Sequence, residues 1–335
     1  MTDTQYASYE NLDEAILSVA EFAQLQKTMP PRKTYLFPFI KESTYGMVYA
    51  PKGTCKTFFT LGVLDAVTAE KSFGPWRCID SVPSLYLDGE MTGYDDLERI
   101  KILNLDSTPR ENPFYFYCDS FAIQQNIPRA NLTDPLWQFK IKNYLLDHGI
   151  KLWVVDNIAS LASGLDENSR QDWDPVNQFF LDLRFNGITS IIVHHSGKSK
   201  KSGQRGTSAR EDNLDWVLTL QRPDGYQLKD GIKFVTKFQK SRVNQTDLDL
   251  LEDVEFRLET DQSGKSIWHN RPAKKDSYPI AIKLISSGLK YQEIADEIGS
   301  NKSYVSQLKA RAVKDGYLNT KLQLTTSGQK YVGNY

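Results

Sequence analysis

The chain has 335 residues and a mass of 38.3 kDa, a length that predicts two domains. Hydrophobic residues make up 40% and charged residues 25%, a balance typical of globular proteins that argues against disordered, collagen-like and coiled-coil chains. The formal net charge is -1, so the chain as a whole offers no basic field to nucleic acid. Two local regions are nevertheless basic: residues 194–210 carry five cations and no acid, and residues 272–335 carry ten Lys or Arg against five Asp or Glu.

Membrane and export segments are not expected. No window approaches the roughly 18 apolar residues that a spanning helix needs. The polar, acidic start MTDTQYASYENLDE also differs from a signal peptide, which begins basic and continues apolar. The three cysteines, Cys55, Cys78 and Cys118, contain no C-x-x-C pair, so we expect free thiols and neither disulfides nor a zinc site. These features predict a cytoplasmic protein.

In chain order, the first predicted element is an amphipathic helix over residues 11–27, which Pro30 and Pro31 end. Short β-rich runs and helical stretches then alternate. Strands are predicted at 45–49, 84–88, 114–118, 152–156, 189–194 and 216–220, and helices at 56–70, 94–103, 134–147 and 173–186. Because strands buried on both faces are apolar runs, this alternation predicts an α/β fold whose sheet is mainly parallel, with helices on both faces.

A change in composition marks a second domain. Residues 226–268 remain β-like, with a hairpin turn at Asp230-Gly231, and the polar segment NRPAKKDS follows at 270–277. We therefore divide the chain into an N-terminal helical extension (1–29), an α/β domain (30–270), a linker (271–277) and a small C-terminal domain (278–335).

A glycine-containing loop joins the first central strand to the first long helix, in the segment YGMVYAPKGTCKTFF. A phosphate-binding loop requires that context: backbone N–H groups hold the phosphates of ATP, Lys56 reaches the β- and γ-phosphates, and Thr57 ligates Mg²⁺. Ala50 and Cys55 replace the two glycines of the usual motif, so an ordinary turn with an incidental Lys-Thr pair stays an open alternative. The predicted nucleotide-binding residues are Ala50, Pro51, Lys52, Gly53, Thr54, Cys55, Lys56, Thr57 and Phe58.

Acidic and histidine side chains end further strands. Glu90 follows SLYLDG and Asp156 ends KLWVVD, at the carboxyl ends of strands, where open α/β sheets bind ligands. Asp156 fits an acid that orients Mg²⁺, and Glu90 fits the general base that aligns an attacking water, although acids also occur here as plain turn residues. His194 and His195 end the next strand, in position to sense the γ-phosphate. A metal site there is disfavoured because no third ligand lies nearby in the sequence.

Four segments between about residues 30 and 245 carry a family resemblance: PPRKTYLFPFI, YLDGE, VVDNIASLASGLDEN and VHHSGKSKKSGQRGTSAREDNLDW. They resemble RecA/DnaB-type ATPases, and most closely the hexameric replicative helicases similar to plasmid RepA, the AAA_25-type ATPases. The resemblance implies a RecA-like core with Glu90 as catalytic glutamate and His194 or His195 as sensor. It also implies that the loops after Asp156 and His195 face a central channel that holds single-stranded DNA.

The same resemblance implies a catalytic cation supplied by a neighbouring subunit. Asp215 occupies the position of the arginine finger in RepA-like proteins. The role therefore passes to Lys240 and Arg242, whose K-S-R sequence is similar to the K-x-R fingers of other RecA-type rings. A site completed by a neighbour's cation implies a homo-oligomer, and the resemblance implies a hexamer.

Both basic regions predict contacts with DNA. Lys198, Lys200, Lys201 and Arg205 are spaced by glycine and serine, which suits sequence-independent phosphate contacts, although a solvated surface loop has the same composition. Residues 291–318 fit a helix-turn-helix, and residues 278–331 resemble a winged helix, which binds either DNA or protein. The DNA-contacting residues expected there are Lys302, Ser303, Tyr304, Gln307, Lys309 and Arg311.

These features together predict an ATP- and Mg²⁺-dependent DNA helicase or translocase that acts in the replication of a plasmid, phage or other mobile genetic element. Two alternatives stay open. One is a RecA-type ATPase that binds DNA without unwinding it, as a helicase loader, recombination mediator or replication initiator does. The other is a DNA-binding regulator whose degenerate phosphate loop hydrolyses ATP poorly.

Overall fold

The computed structural model describes residues 9–162, 164, 170–195, 213–223, 226–262, 264–273, 277–298 and 300–333. The chain forms two compact units, Met1–Arg271 and Pro272–Tyr335, which are described in turn. Within these described residues, no helix is both long enough and apolar enough to cross a bilayer.

The large unit is built around a sheet of nine strands, with two short two-stranded pairs in addition. Its strands are β1 (Thr34–Leu36), β2 (Ile40–Lys41), β3 (Tyr45–Ala50), β4 (Ser72–Phe73), β5 (Trp76–Arg77), β6 (Ser84–Asp88), β7 (Phe114–Cys118), β8 (Leu152–Asp156), β9 (Thr189–His195), β10 (Trp216–Gln221), β11 (Lys233–Lys240), β12 (Val254–Thr260) and β13 (Ser266–Pro272). Its described helices are α1 (Val19–Thr28), α2 (Lys56–Thr68), α3 (Gly93–Ile102), α4 (Asp119–Gln124), α5 (Pro135–Asp147), α6 (Ile158–Leu161) and α7 (Arg170–Phe185).

The sheet has the strand order β13-β12-β11-β10-β3-β9-β8-β6-β7. The six strands from β10 to β7 run parallel, and β11 pairs antiparallel with both β10 and β12. Along β8, Val154 packs into the core on the side of α2, whereas Trp153 and Val155 pack into the core on the side of α5 and α7. Helices therefore cover both faces, which confirms the predicted α/β fold with a mainly parallel sheet.

The six predicted strands coincide with β3, β6, β7, β8, β9 and β10 to within one residue. The pairs β1–β2 and β4–β5 escape prediction, because strands of two or three residues carry no periodicity. The prediction of one helix over residues 11–27 was wrong: Tyr9–Ala15 is a 3-10 helix, and α1 begins after Ser18. Ser18 and Glu21 form a capping box, in which each side chain accepts the other's backbone N–H, and this starts a new helix.

The small unit contains helices Ser277–Ser286, Tyr291–Glu297 and Lys302–Lys314 around their own apolar core, followed by helix Thr326–Val332. The second and third of these lie where the sequence predicts the two helices of a helix-turn-helix, and the Asn301 side chain caps the third by accepting the Tyr304 N–H. Between the third and fourth helices, Leu318 and Leu324 form one isolated antiparallel bridge. The assignment of a winged helix stays a prediction.

Candidate functional site

Parallel strands bring their carboxyl ends to one edge of the sheet, so the segments that follow β3, β6, β8 and β9 share that edge. The candidate phosphate loop (residues 50–58), Glu90, Asp156 and His195 all come from these strand ends. Residues 52–58 of this loop, Glu90, Asp156 and His195 line an open cleft, to which Asp88, Met91 and Arg99 also contribute.

The loop between β3 and α2 passes through left-handed backbone at Gly53, with φ of 75°, and at Cys55, with φ of 59°. Cys55 immediately precedes α2, and its side chain does not cap the helix. The first N–H groups of α2 and the positive end of its dipole are therefore available to an anion in the cleft. Arg222, just after β10, donates to the Gly53 carbonyl oxygen at 3.1 Å and holds the loop from the other side.

Lys56 lies folded over this loop and is 5% exposed. Its Nζ donates to the carbonyl oxygens of Ala50 at 3.0 Å and Pro51 at 3.2 Å, and lies 2.9 Å from Nδ1 of His195. Burial lowers the pKa of Lys56, while the carboxylates of Asp156 and Glu90 act in the opposite direction. The ammonium group thus sits where the loop, the base candidate and β9 meet.

Asp156 is held by two hydroxyl groups. Its Oδ2 accepts from Thr57 Oγ1 at 2.8 Å and from the hydroxyl of the buried Tyr86 at 2.5 Å. Burial raises the pKa of Asp156, and these hydrogen bonds oppose that rise. Hydroxyl and carboxylate oxygens are the ligands that Mg²⁺ prefers, so Thr57 and Asp156 fit the ion of a Mg²⁺–nucleotide complex, where it would neutralise phosphate charge.

No group of three or more His, Cys, Asp or Glu that could hold a metal ion occurs in the part of the chain that the structure describes. A cation held by Thr57 and Asp156 would complete its coordination with phosphate oxygens and water, as Mg²⁺ usually does in nucleotide sites.

The turn after β6 presents Glu90 to the cleft. Asp88 Oδ1 accepts the backbone N–H of Glu90 at 2.9 Å and of Met91 at 2.8 Å, which fixes the turn. Gly89 is required between them, because a Cβ there would lie 2.4 Å from the side chain of Leu161. Burial raises the pKa of Asp88 to about 7, so this carboxyl group titrates near neutral pH.

A polar network surrounds the Glu90 carboxylate. Asn157 Nδ2 contacts Glu90 Oε2, and His195 Nε2 lies 3.2 Å from the same oxygen. Since His195 Nδ1 meets the Lys56 ammonium, a single histidine links the phosphate-loop lysine to the base candidate. Of the two candidate histidines, His195 is the one that these contacts bring to Glu90, whereas His194 Nδ1 lies 2.6 Å from the His195 carbonyl oxygen.

The two finger candidates, Lys240 and Arg242, lie at the opposite edge of the sheet, where the parallel strands begin. Arg242 Nη1 is 3.3 Å from Oδ1 of the buried Asp215, which Arg184 Nη2 approaches to 3.2 Å. Asp215 also accepts the N–H of Tyr45, the first residue of β3. Lys240 pairs in register with Val217, near the start of β10. The phosphate loop follows the other end of β3, about 17 Å away at about 3.3 Å per residue.

Five residues of this site escape sequence reasoning. Asp88 and Asn157 adjoin predicted residues, but their contacts depend on side-chain direction. Tyr86 has the appearance of a core residue in an apolar strand, and Arg99 and Arg222 belong to no motif. The signal that could have found Tyr86 is its period-two spacing with Asp88 along β6, because residues two apart share a face of a strand.

The structure describes only some of the residues that we predict to contact DNA. Lys198, Lys200, Lys201 and Arg205 lie outside the described residues. In the small unit, Lys302, Ser303 and Gln307 are exposed. Lys309 Nζ lies 5.4 Å from the ring centre of Tyr291, and the Arg311 guanidinium lies 4.2 Å from that of Tyr278. Arg311 also pairs with Asp315 at 3.4 Å, so within this unit it already has partners.

Comparison with known proteins places this site in context. The sequence model of a family described as AAA domain, AAA_25, matches residues 12–201. Among solved structures, a KaiC-like protein from the hyperthermophilic archaeon Pyrococcus horikoshii OT3 is similar, with 16% identity and a TM-score of 0.46 over 68% of this chain and 91% of that one. This likeness is too distant to bear on function. No curated protein matches the chain significantly.

Proposed function

Because the chain belongs to the AAA domain family AAA_25, it is a nucleotide-dependent ATPase with a RecA-like fold, and we propose that it works as an ATP-driven DNA helicase or translocase. The observation that carries the ATPase part is the convergence of Lys56, Thr57, Asp156 and Glu90 on one cleft. Phosphoryl transfer to water needs a site that binds the phosphates, a cation that offsets the developing charge, and a base for the water.

Each residue has a distinct task in this proposal. The N–H groups at the start of α2 and the Lys56 ammonium bind the phosphates, after Lys56 has left the carbonyl oxygens of Ala50 and Pro51. Thr57 and Asp156 hold Mg²⁺, which supplies neutralising charge when the nucleotide is bound. Glu90 takes the proton of the attacking water. His195, between Lys56 and Glu90, senses the γ-phosphate.

The position of Arg242 supports the proposed ring. It lies at the amino-terminal edge of the parallel strands, about 17 Å along β3 from its own phosphate loop, so it does not reach its own nucleotide. Its side chain is 53% exposed, which leaves it accessible to the cleft of a neighbouring copy. Lys240 lies at the same edge. A finger acting between subunits implies a homo-oligomer, and a hexamer is the form we propose.

DNA is the proposed partner because both basic regions of this nearly neutral chain suit it. Residues 198–205 would grip single-stranded DNA in the channel, and the helix-turn-helix unit would contact duplex DNA through its third helix. A loader, mediator or initiator that binds DNA without unwinding it remains the second candidate, favoured by that same unit.

The test that separates these candidates combines native mass spectrometry with strand separation of a forked duplex. We expect an oligomer that separates the strands with ATP and Mg²⁺ but not with a non-hydrolysable analogue. ATP hydrolysis stimulated by single-stranded DNA, without strand separation on forks of either polarity, would remove the helicase and leave the second candidate.

A further inference from the structure

Asn157 occupies a position that its neighbours fix completely. It is 1% exposed, directly follows Asp156, and caps α6. Its Oδ1 accepts the Ser160 N–H at 3.1 Å and lies 3.3 Å from the Ser160 hydroxyl. Because the carbonyl side of the amide is committed to this cap, the NH₂ side points towards the cleft.

That NH₂ group meets Glu90. Nδ2 of Asn157 contacts Glu90 Oε2, and it lies 3.0 Å from His195 Nε2. The tautomer of His195 follows from Lys56, whose ammonium can only donate to Nδ1, so the proton of the neutral ring belongs on Nε2. That proton is directed at Glu90 Oε2, 3.2 Å away. One oxygen of the carboxylate therefore accepts from two donors.

A general base works on one oxygen at a time and must hold that oxygen within hydrogen-bond reach of the water. Among the described residues, Asn157 and His195 both engage Oε2, which directs Oε1 away from them. Glu90 is 41% exposed and extends from a turn, so packing alone does not fix its carboxylate. Of the two donors to Glu90, Asn157 is the more rigid, because its amide is buried and also caps α6. His195 has a second partner, since its Nδ1 lies 2.9 Å from the Lys56 ammonium.

We propose that Asn157 is a positioning residue for catalysis: it holds Glu90 by Oε2 and thereby assigns Oε1 to the attacking water. This inference rests on the proposed role of Glu90 as general base. It gives Asn157 a part in hydrolysis and none in nucleotide binding, because its contacts run to Glu90 and His195 and to its own helix cap.

Two substitutions separate the amide donor from the helix cap. Asn157→Asp and Asn157→Ser both keep an oxygen that accepts the Ser160 N–H, and Asp and Ser cap helices as well as Asn does. Both remove the NH₂ group. Single-turnover hydrolysis by excess protein, ATP affinity and the thermal midpoint are measured for each. We expect the hydrolysis rate to fall about 10- to 100-fold in both variants, as for a misplaced catalytic group, with ATP affinity within about twofold. The thermal midpoint should stay unchanged in Asn157→Ser, whereas Asn157→Asp should lower it because its carboxylate is buried against Glu90.

Ser160→Ala is the matched control, since it removes a hydroxyl on the cap side and keeps the backbone N–H; its rate should equal that of the wild type. Full activity in Asn157→Asp or Asn157→Ser, with Glu90→Gln inactive, would overturn the positioning role and leave the proposed function intact. In Asn157→Ser, a slower rate accompanied by a matching fall in the midpoint would show a structural role only. Undiminished hydrolysis in Glu90→Gln would instead remove the proposed base, and the positioning role with it.

Discussion

The two edges of the parallel sheet are built on opposite principles. At the amino-terminal edge, the buried Asp215 is matched by two arginines and a backbone N–H. At the carboxyl-terminal edge, burial raises the pKa of Asp88 and Asp156 and lowers that of Lys56, and Cys55 adopts a left-handed backbone. At the first edge the buried charge is neutralised by its partners, whereas at the second edge buried charged groups and a strained backbone cost stability.

This difference indicates that the functional site lies at the carboxyl-terminal edge. Buried charges without full compensation cost stability, and they persist where a ligand or a reaction will use them. Incoming phosphates and Mg²⁺ would supply the charges that the carboxyl-terminal edge lacks. The amino-terminal edge gains nothing from a nucleotide of its own chain, which agrees with the proposal that Arg242 serves a neighbouring copy.

Lys56→Ala should have the largest effect, because it removes the ammonium group that lies buried beside the phosphate loop at the carboxyl-terminal edge. We expect ATP hydrolysis to fall below detection, since Lys56 would offset the charge that develops on the transferred phosphoryl group. Phosphate release by the purified variant measures this, with the exposed Lys140→Ala as a matched control. Turnover equal to that of the wild type would remove the phosphate-loop assignment.

Arg242→Ala tests whether the amino-terminal edge also acts between copies. A finger is worth about 10³-fold or more in turnover, so we expect a loss of that size. Mixing with Glu90→Gln protein should restore part of the activity, because some interfaces regain both groups. Arg184→Ala, which removes the other cation of Asp215, should not be rescued in this way. If mixing restores nothing although subunits demonstrably exchange, Arg242 does not act in trans.

Asp88→Asn tests the cost of buried charge at the carboxyl-terminal edge through the pH dependence of stability. Because the pKa of Asp88 is raised from its ordinary 3.8 to about 7, the neutral form is favoured in the folded state. The resulting contribution to stability is therefore lost as pH rises from about 4 to about 7, and amounts to about 4 kcal/mol at most. Asp96 and Asp156 face Asp88 and act in the same direction.

The asparagine keeps the acceptor for the Glu90 and Met91 N–H groups and does not titrate. We therefore expect denaturant unfolding to show a flatter decline of the free energy of unfolding across this pH range in Asp88→Asn. The exposed Asp106→Asn serves as control. Parallel curves for the wild type and Asp88→Asn would show that Asp88 stays ionised in the folded protein.

The smallest expected effect concerns Cys55, whose φ of 59° suits glycine. A side chain in left-handed backbone costs about 1 to 2 kcal/mol, and glycine relieves this strain. Part of the relief is offset because glycine gives the unfolded chain more conformational freedom. Cys55→Gly should therefore be more stable than Cys55→Ala by about 0.5 to 1 kcal/mol in denaturant unfolding. The order expected inside a helix, with Ala above Gly, would mean that the loop is not strained there.

The sequence predicts the strands and the residues that end them better than the contacts between side chains of neighbouring strands. β6, β7 and β8 are foreseen to the residue, because a strand buried on both faces is a continuous apolar run. Glu90, Asp156 and His195 stand out because they end such runs. Tyr86 and Asn157 do not, since their importance arises only when β6 and β8 lie side by side and their side chains meet Asp156 and Glu90.

The central claim is that the cleft at the carboxyl-terminal edge hydrolyses ATP with Glu90 as the base. The most direct test measures ATP affinity and Mg²⁺-dependent turnover for the wild type and Glu90→Gln side by side. We predict equal affinity to within about twofold and a turnover lower by about 100-fold or more in the variant, which keeps the shape of the side chain and loses the base. Equal turnover in the two proteins, or the absence of ATP binding in both, would contradict the account.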